Sequence, residues 1–316
     1  MLTNIFTKKS AKFYLLQALL FLALVFAADR ITGGFLQYLY KKQAAGWDYR
    51  TRYSAEETKA DVLIFGASRA QQQYIPTFIE DSLQLTCYNV GRDGTPFFYQ
   101  YAMLQMILKR YTPKIIILDC EYAILKKTAT SYERMSSLLP LYNDHPEIRS
   151  IVELRSPYEK YKFISRVYPY NSMFFKIAVA NLGSQKKKKE DIKGYLPLYA
   201  SLNEPLKTID HTSEYELDSL KIKMLYSFME DCLTRNIELY LFCPPYYLNT
   251  IGTDHSFAVT KAIAAEKKVD FIDYSKDTQF LKSPHLFDDT VHVNYEGAKI
   301  ISARIAGEIK KRTKIQ

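Results

Sequence analysis

The amino-acid sequence predicts an α/β protein: a doubly wound, parallel, five-stranded sheet with a long, mostly helical insertion and an N-terminal transmembrane helix. Three observations predict it. Five short apolar runs are continuous rather than alternating, as strands covered on both faces are. Helical patterns separate these runs, the alternation expected of a parallel sheet wound from βαβ units. One uncharged stretch stands near the N-terminus, behind a cluster of lysines. The chain has 316 residues, 47% hydrophobic and 24% charged. That is enough apolar side chain for a sizeable core, and it excludes a mainly disordered chain, a collagen-like repeat and a small disulfide-stapled scaffold.

Taken in order, Lys8, Lys9 and Lys12 precede the uncharged run Phe13–Ala28, which closes at Asp29 and Arg30. Sixteen helical residues span about 24 Å, short of a hydrocarbon core of about 30 Å. Flanking lysines and Tyr38 or Tyr40 can snorkel or anchor to make up the difference. The lysines come first, so the N-terminus is expected in the cytosol and the rest outside. Val25-Phe26-Ala27 also resembles a signal-peptide cleavage pattern, which gives a secreted alternative. Phe26 and the continuing amphipathic stretch Phe35–Tyr40 favour an uncleaved anchor. The expected organisation is a cytosolic tail and anchor over 1–30, a linker over 31–58, and one domain over 59–316.

Within that domain the expected strands are Val62–Phe65, Leu85–Val90, Lys114–Asp119, Ile237–Cys243 and Val269–Tyr274. Helical patterns cover Thr77–Leu83, Phe97–Arg110, Glu214–Arg235 and His255–Lys268. A last helix shows Ala298, Ile301, Ile305 and Ile309 at spacings of three and four. The insertion occupies about 123–212, and its segment Ser156–Leu182 interleaves many aromatics with Lys and Arg. Such a segment packs on the main sheet, or serves as a substrate lid, a membrane contact or a docking surface for a membrane partner.

The chain carries 43 Lys+Arg against 34 Asp+Glu, a net +9. The excess resolves into the N-terminal flank, the polar run Lys186–Lys189 and the tail Lys310, Lys311, Arg312, Lys314. The tail complements a helix C-terminus. No nucleic-acid module is recognisable, so no nucleic-acid partner is expected. Cys87, Cys120, Cys232 and Cys243 show no CxxC spacing and read as small buried hydrophobes. An oxidising compartment would permit a disulfide without requiring one. His145, His211, His255 and His285 form no H-x-H or HExxH pattern, so neither a metal nor another cofactor is expected.

Two places in the chain carry chemistry. The first strand ends in Phe65-Gly66-Ala67-Ser68-Arg69-Ala70, which sets a serine at a strand-to-helix junction. There it is either a helix cap or a nucleophile beside unpaired helical N–H groups. Near the other end, Phe287-Asp288-Asp289-Thr290-Val291-His292 leads into the last helix. Asp289 and His292 are three apart, so on one helical turn the carboxylate reaches the ring's Nδ1–H and leaves Nε2 to take a proton from serine. Asp288 is the rival carboxylate.

These motifs resemble the SGNH (GDSL-like) hydrolase superfamily over about 60–125 and 215–310. The resemblance implies a flavodoxin-like sheet. Its first block appears as Gly66-Ala67-Ser68, its second as Asn89-Val90-Gly91-Arg92-Asp93-Gly94, and its last as Asp289-Thr290-Val291-His292. It implies Ser68, His292 and Asp289 as catalytic residues, and backbone N–H groups of Ser68 and Gly91 as the oxyanion hole. The chain departs from the pattern twice. Ala67 stands for the usual aspartate, and the third block, G-x-N-D, reads Asp119-Cys120-Glu121-Tyr122, without the asparagine that donates to the oxyanion. Losing one such donor costs about 100- to 1,000-fold in rate. Arg69 is a candidate replacement donor or substrate contact, with a structural ion pair as its other reading.

An N-terminal anchor with an outside-facing domain resembles, within the superfamily, proteins of envelope-polymer acylation. That resemblance implies an esterase or O-acyltransferase acting on acyl, in the first instance acetyl, esters of a cell-envelope polysaccharide. Its expected partners are that glycan, the membrane, and a polytopic membrane acyltransferase. The alternative is a catalytically weak or inactive SGNH-like module that binds glycan or assists such an acyltransferase.

Overall fold

A computed structural model describes residues 11–181, 191–212 and 214–312. The expectations placed on Lys8, Lys9, Lys186–Lys189 and Lys314 lie outside the described residues.

Five parallel strands form the main sheet: β1 (Val62–Phe65), β2 (Cys87–Asn89), β3 (Ile115–Asp119), β5 (Glu238–Cys243) and β7 (Asp270–Asp273). Their spatial order is β2-β1-β3-β5-β7, and every neighbouring pair is parallel. All five expected strands are present, with ends trimmed by a residue or two. The apolar runs are continuous because both faces are covered. Leu63 and Phe65 of β1 join one core layer and Val62 and Ile64 the other, and Ile116 and Leu118 alternate with Ile115 and Ile117 in β3. The first layer is closed by α2 (Trp47–Glu56), α5 (Phe97–Leu108) and α6 (Ser219–Thr234). The second is closed by α3 (Ser68–Gln73), α4 (Pro76–Leu83) and α8 (Tyr295–Arg312). Helix α7 (His255–Glu266) packs beside β7.

Two elements went unanticipated. A second, two-stranded parallel sheet pairs β4 (Lys207–Asp210) with β6 (Leu248–Ile251). Its strands are short and largely exposed, so they carry no apolar run to announce them. Most of the stretch 31–58 is helical. Helix α1 runs from Ala11 to Lys42, and α2 follows with Arg50, Thr51, Ser54 and Ala55 buried. Polar side chains hide α2 in the sequence, yet its backbone carbonyls hold Arg110 on α5's C-terminal side: Nε donates to Ala55 O and Nη2 to Ser54 O.

Helix α1 is long and apolar enough to cross a membrane, a property that a signal sequence shares. The insertion divides in two. Met135, Leu138, Leu141, Ile148 and Val152 join the main core. Farther on, Tyr170, Met173 and Ile177 leave the sheet and form a separate cluster with Leu36 and Tyr40 of α1. All four cysteines are free and buried.

Candidate active site

The nucleophile candidate is placed by the core. β1 is fully buried, and the chain turns off it at Gly66, whose φ is +148°. A Cβ on Gly66 would sit 2.6 Å from Ala70 Cβ and 2.8 Å from Asp119 Cβ, so only glycine brings α3 this close to β3. Gln100 accepts the Gly66 N–H at 3.2 Å. Ser68 then opens α3 and is half-buried at the carboxyl edge of the sheet.

His292 arrives from a different kind of structure. Residues 287–293 form a bend closed by an antiparallel bridge between Phe287 and Val293. The expected helical turn through Asp289 and His292 is absent. Instead, Asp289 Oδ1 accepts the backbone N–H groups of Val291 (2.7 Å) and His292 (2.8 Å), the local side-chain-to-backbone pattern that lets aspartate replace a helical turn. A tether fixes the bend to α3, with Gln73 Nε2 donating to Val291 O at 2.9 Å.

The two structures meet. Ser68 Oγ lies 2.8 Å from His292 Nε2, and His292 Nδ1 lies 2.9 Å from Asp289 Oδ2. The hydrogen-bond pattern assigns the tautomer: Nδ1–H donates to Asp289, and Nε2 accepts from the serine hydroxyl. Burial pushes the Asp289 carboxyl upward, but the His292 ring and the two backbone N–H groups outweigh it and bring it down to about 2. It is therefore ionised throughout the neutral range. The rival carboxylate is engaged elsewhere, since Asp288 Oδ1 accepts the Ala200 N–H at 3.0 Å.

Two other expected site residues are placed differently. Gly91 packs against the start of α3, where a Cβ would meet Ala70 Cβ at 2.7 Å. Its N–H, expected at an oxyanion hole, donates to Asn89 Oδ1 at 2.9 Å. The short Asn89-Val90-Gly91 turn brings that carboxamide within reach of the amide before any substrate does. Arg69, read either as a substrate contact or as a structural group, is fully buried, as the structural reading requires. Its Nη2 donates to Pro244 O at 2.7 Å and its guanidinium lies 3.8 Å over the Tyr246 ring. On a six-residue helix, the side chain next to an outward serine is turned into the sheet, and Arg69 ties α3 to the end of β5.

One residue gains weight from the structure. Glu121 stands where the resemblance expects asparagine, just past β3. Burial pushes its carboxyl up to about 7; Asp119 adds to the rise, while Arg69 and His292 oppose it. The substitution was visible in the sequence, but its titration range depends on the burial of this strand end. A cavity of about 450 Å³ lies beside β2, among Tyr49, Tyr53, Glu80, Tyr88 and Lys193, and does not include the Ser68 site.

A parallel α/β sheet with a serine–histidine–aspartate hydrogen-bond relay at its carboxyl edge is the class that fold and site define. No family model and no curated protein matches the chain. Solved structures that it resembles include the esterase EstA from Pseudoalteromonas sp., inhibited by monoethylphosphonate (12% identity, 79% of this chain and 97% of that one, TM-score 0.41). A putative acylhydrolase from Bacteroides fragilis aligns at 14% identity over 86% of this chain and 99% of its own, with a TM-score of 0.43. The acetyl xylan esterase AlAXEase aligns at 14% identity over 80% and 99%, with a TM-score of 0.39. At such identities and scores, the chemistry has to be read from the chain's own side chains.

Proposed function

We propose that this protein is a serine esterase or O-acyltransferase acting on acyl esters of a cell-envelope polysaccharide, held at the outer membrane face by α1. The observation that carries the reading is the unbroken relay from Ser68 Oγ through His292 to Asp289, with links of 2.8 and 2.9 Å. Serine is a weak nucleophile until a base takes its proton. Here Nε2 would take it as Oγ attacks the ester carbonyl carbon. The imidazolium so formed is stabilised by the ionised Asp289 and returns the proton to the departing sugar oxygen. Water or a sugar hydroxyl then attacks the acyl-serine, giving hydrolysis or transfer. Ser68 N–H, in the first helical turn, is a candidate donor to the oxyanion, and Glu121 in its neutral form is another. The polysaccharide, the acyl transfer and a polytopic acyltransferase partner come from the family resemblance together with the apolar α1.

A second reading, a non-catalytic glycan-binding or assembly module, is favoured by the engaged Gly91 N–H and the absent third-block asparagine. Labelling of the full chain with a serine-directed fluorophosphonate separates the two. Catalysis expects an adduct on Ser68 that disappears in Ser68→Ala and weakens in His292→Ala, together with hydrolysis of acetylated model esters. No Ser68-dependent adduct and no turnover would leave the binding module standing.

A further inference from the structure

We propose that the turn Tyr158–Arg166 of the insertion is a collar seated in the lipid interface where α1 leaves the bilayer. This rests on reading α1 as an uncleaved membrane span and adds the contact that sets the domain's depth.

The uncharged run Phe13–Ala28 covers about 24 Å of a core that is about 30 Å thick. The remaining 6 Å or so, about four residues of helix, contain Asp29 and Arg30. On a bare helix those two groups would demand water at that depth. In the structure the collar binds both groups: it supplies three donors to Asp29 and one acceptor to Arg30. Asp29 accepts from the Ser165 hydroxyl, the Arg166 N–H (2.9 Å) and the Val167 N–H (3.3 Å). Arg30 pairs with Asp29 at 3.7 Å and donates to the Ile164 carbonyl.

The join is tight as well as polar. A Cβ on Gly33 would sit 2.4 Å from Arg166 Cβ, so the turn lies against the α1 backbone and cannot ride up or down the helix. What this join turns outward is apolar and aromatic. Ile164 is 66% exposed, Tyr161 58% and Tyr158 70%. Basic groups accompany them: Lys160 Nζ lies 5.0 Å from the Tyr161 ring, and Lys162 pairs with Glu159 at 2.8 Å. Aromatic rings with interleaved lysines suit the headgroup boundary, where an apolar body and a polar tip are both satisfied. The collar continues the exposed apolar surface of α1, so the occupant assigned to it is the same bilayer.

The test uses the full chain reconstituted in phosphatidylcholine–phosphatidylglycerol vesicles. Single cysteines at Ile164→Cys, Leu20→Cys and Leu233→Cys are labelled with an environment-sensitive fluorophore, the four native cysteines being buried. Tyr161→Cys repeats the measurement independently in the same turn. Quenching is compared between lipids spin-labelled at a shallow position and aqueous iodide. The collar expects Ile164 and Tyr161 probes to lose emission to the shallow lipid label, Leu20 to a deep one, and Leu233, exposed on α6, to iodide alone. Iodide quenching at Ile164 with Leu20 still lipid-quenched overturns the collar and leaves the anchor standing. No lipid quenching at Leu20 overturns the anchor and the collar with it. Protection of Ile164 from both quenchers shows that protein covers the turn, a second copy or a partner, and also overturns the proposal.

Discussion

The two halves of the Ser68–His292–Asp289 relay are held by different physics. Ser68 hangs from the fully buried strand β1, and its approach to β3 depends on the absence of a Cβ at Gly66. Asp289 and His292 sit on an exposed bend whose shape comes from hydrogen bonds within four residues and from the Gln73 tether. Packing positions Ser68; local hydrogen bonding positions His292. A core-held group should respond to changes of volume, and a bend-held group to changes of hydrogen-bonding capacity.

The largest expected effect is at the core-held end. Ser68→Ala should reduce turnover of a model ester to background, on the order of 10⁶-fold for a working serine relay. Retained turnover would remove Ser68 from the chemistry. Asp289→Asn tests the bend. It keeps the shape but loses the charge and the acceptor that selects the imidazole tautomer, so kcat should fall about 10²- to 10⁴-fold. A silent Asp289→Asn would mean that the bend alone orients the ring.

Gly66→Ala sharpens the contrast through stability rather than chemistry. A left-handed φ and two Cβ contacts under 3 Å should cost about 2–4 kcal/mol. Urea unfolding followed by circular dichroism would read this as a lower midpoint, whereas Asp289→Asn should leave that midpoint much closer to wild type.

The smallest expected effect concerns Glu121. Its folded carboxyl titrates at about 7, raised from 4.5, so between these values the folded state holds more proton than the unfolded one. Stability should therefore decline as pH rises from about 4.5 to about 7, and Glu121→Gln should flatten that slope in melting temperatures measured across the window. If neutral Glu121 serves the oxyanion, wild-type activity should also lose a component as pH rises through 7, and Glu121→Gln should keep it. An unchanged pH profile would confine Glu121 to a structural part.

The relay was legible in the sequence because serine at a strand end and D-x-x-H before the last helix are local patterns. Which carboxylate joins it followed from the same D-x-x-H spacing, which favours Asp289, and the structure adds where the rival goes. Asp288 and Asp289 are adjacent and chemically equal, and Ala200, almost ninety residues away in the chain, is what engages the first. For Gly91 and Arg69 the sequence left two readings each, a site role and a structural one. Whether an N–H or a guanidinium is free depends on nearby acceptors, here Asn89 Oδ1 and Pro244 O, and spacing does not reveal them. Helix α2 was not legible because it packs through polar groups and small residues, which leave a weak apolar period.

By itself, then, the sequence determined the sheet, its parallel winding, the apolar N-terminal helix and the three residues of the relay. Each stems from a short-range signal: a buried strand must be apolar on both faces, a span must be uncharged, and a proton relay needs particular groups. Tertiary structure alone decided that the insertion splits between the main core and α1, that Arg69 is internal, and that Glu121 titrates near neutrality. Those outcomes depend on which surfaces meet across long chain separations, where burial and competing hydrogen-bond partners set the energy.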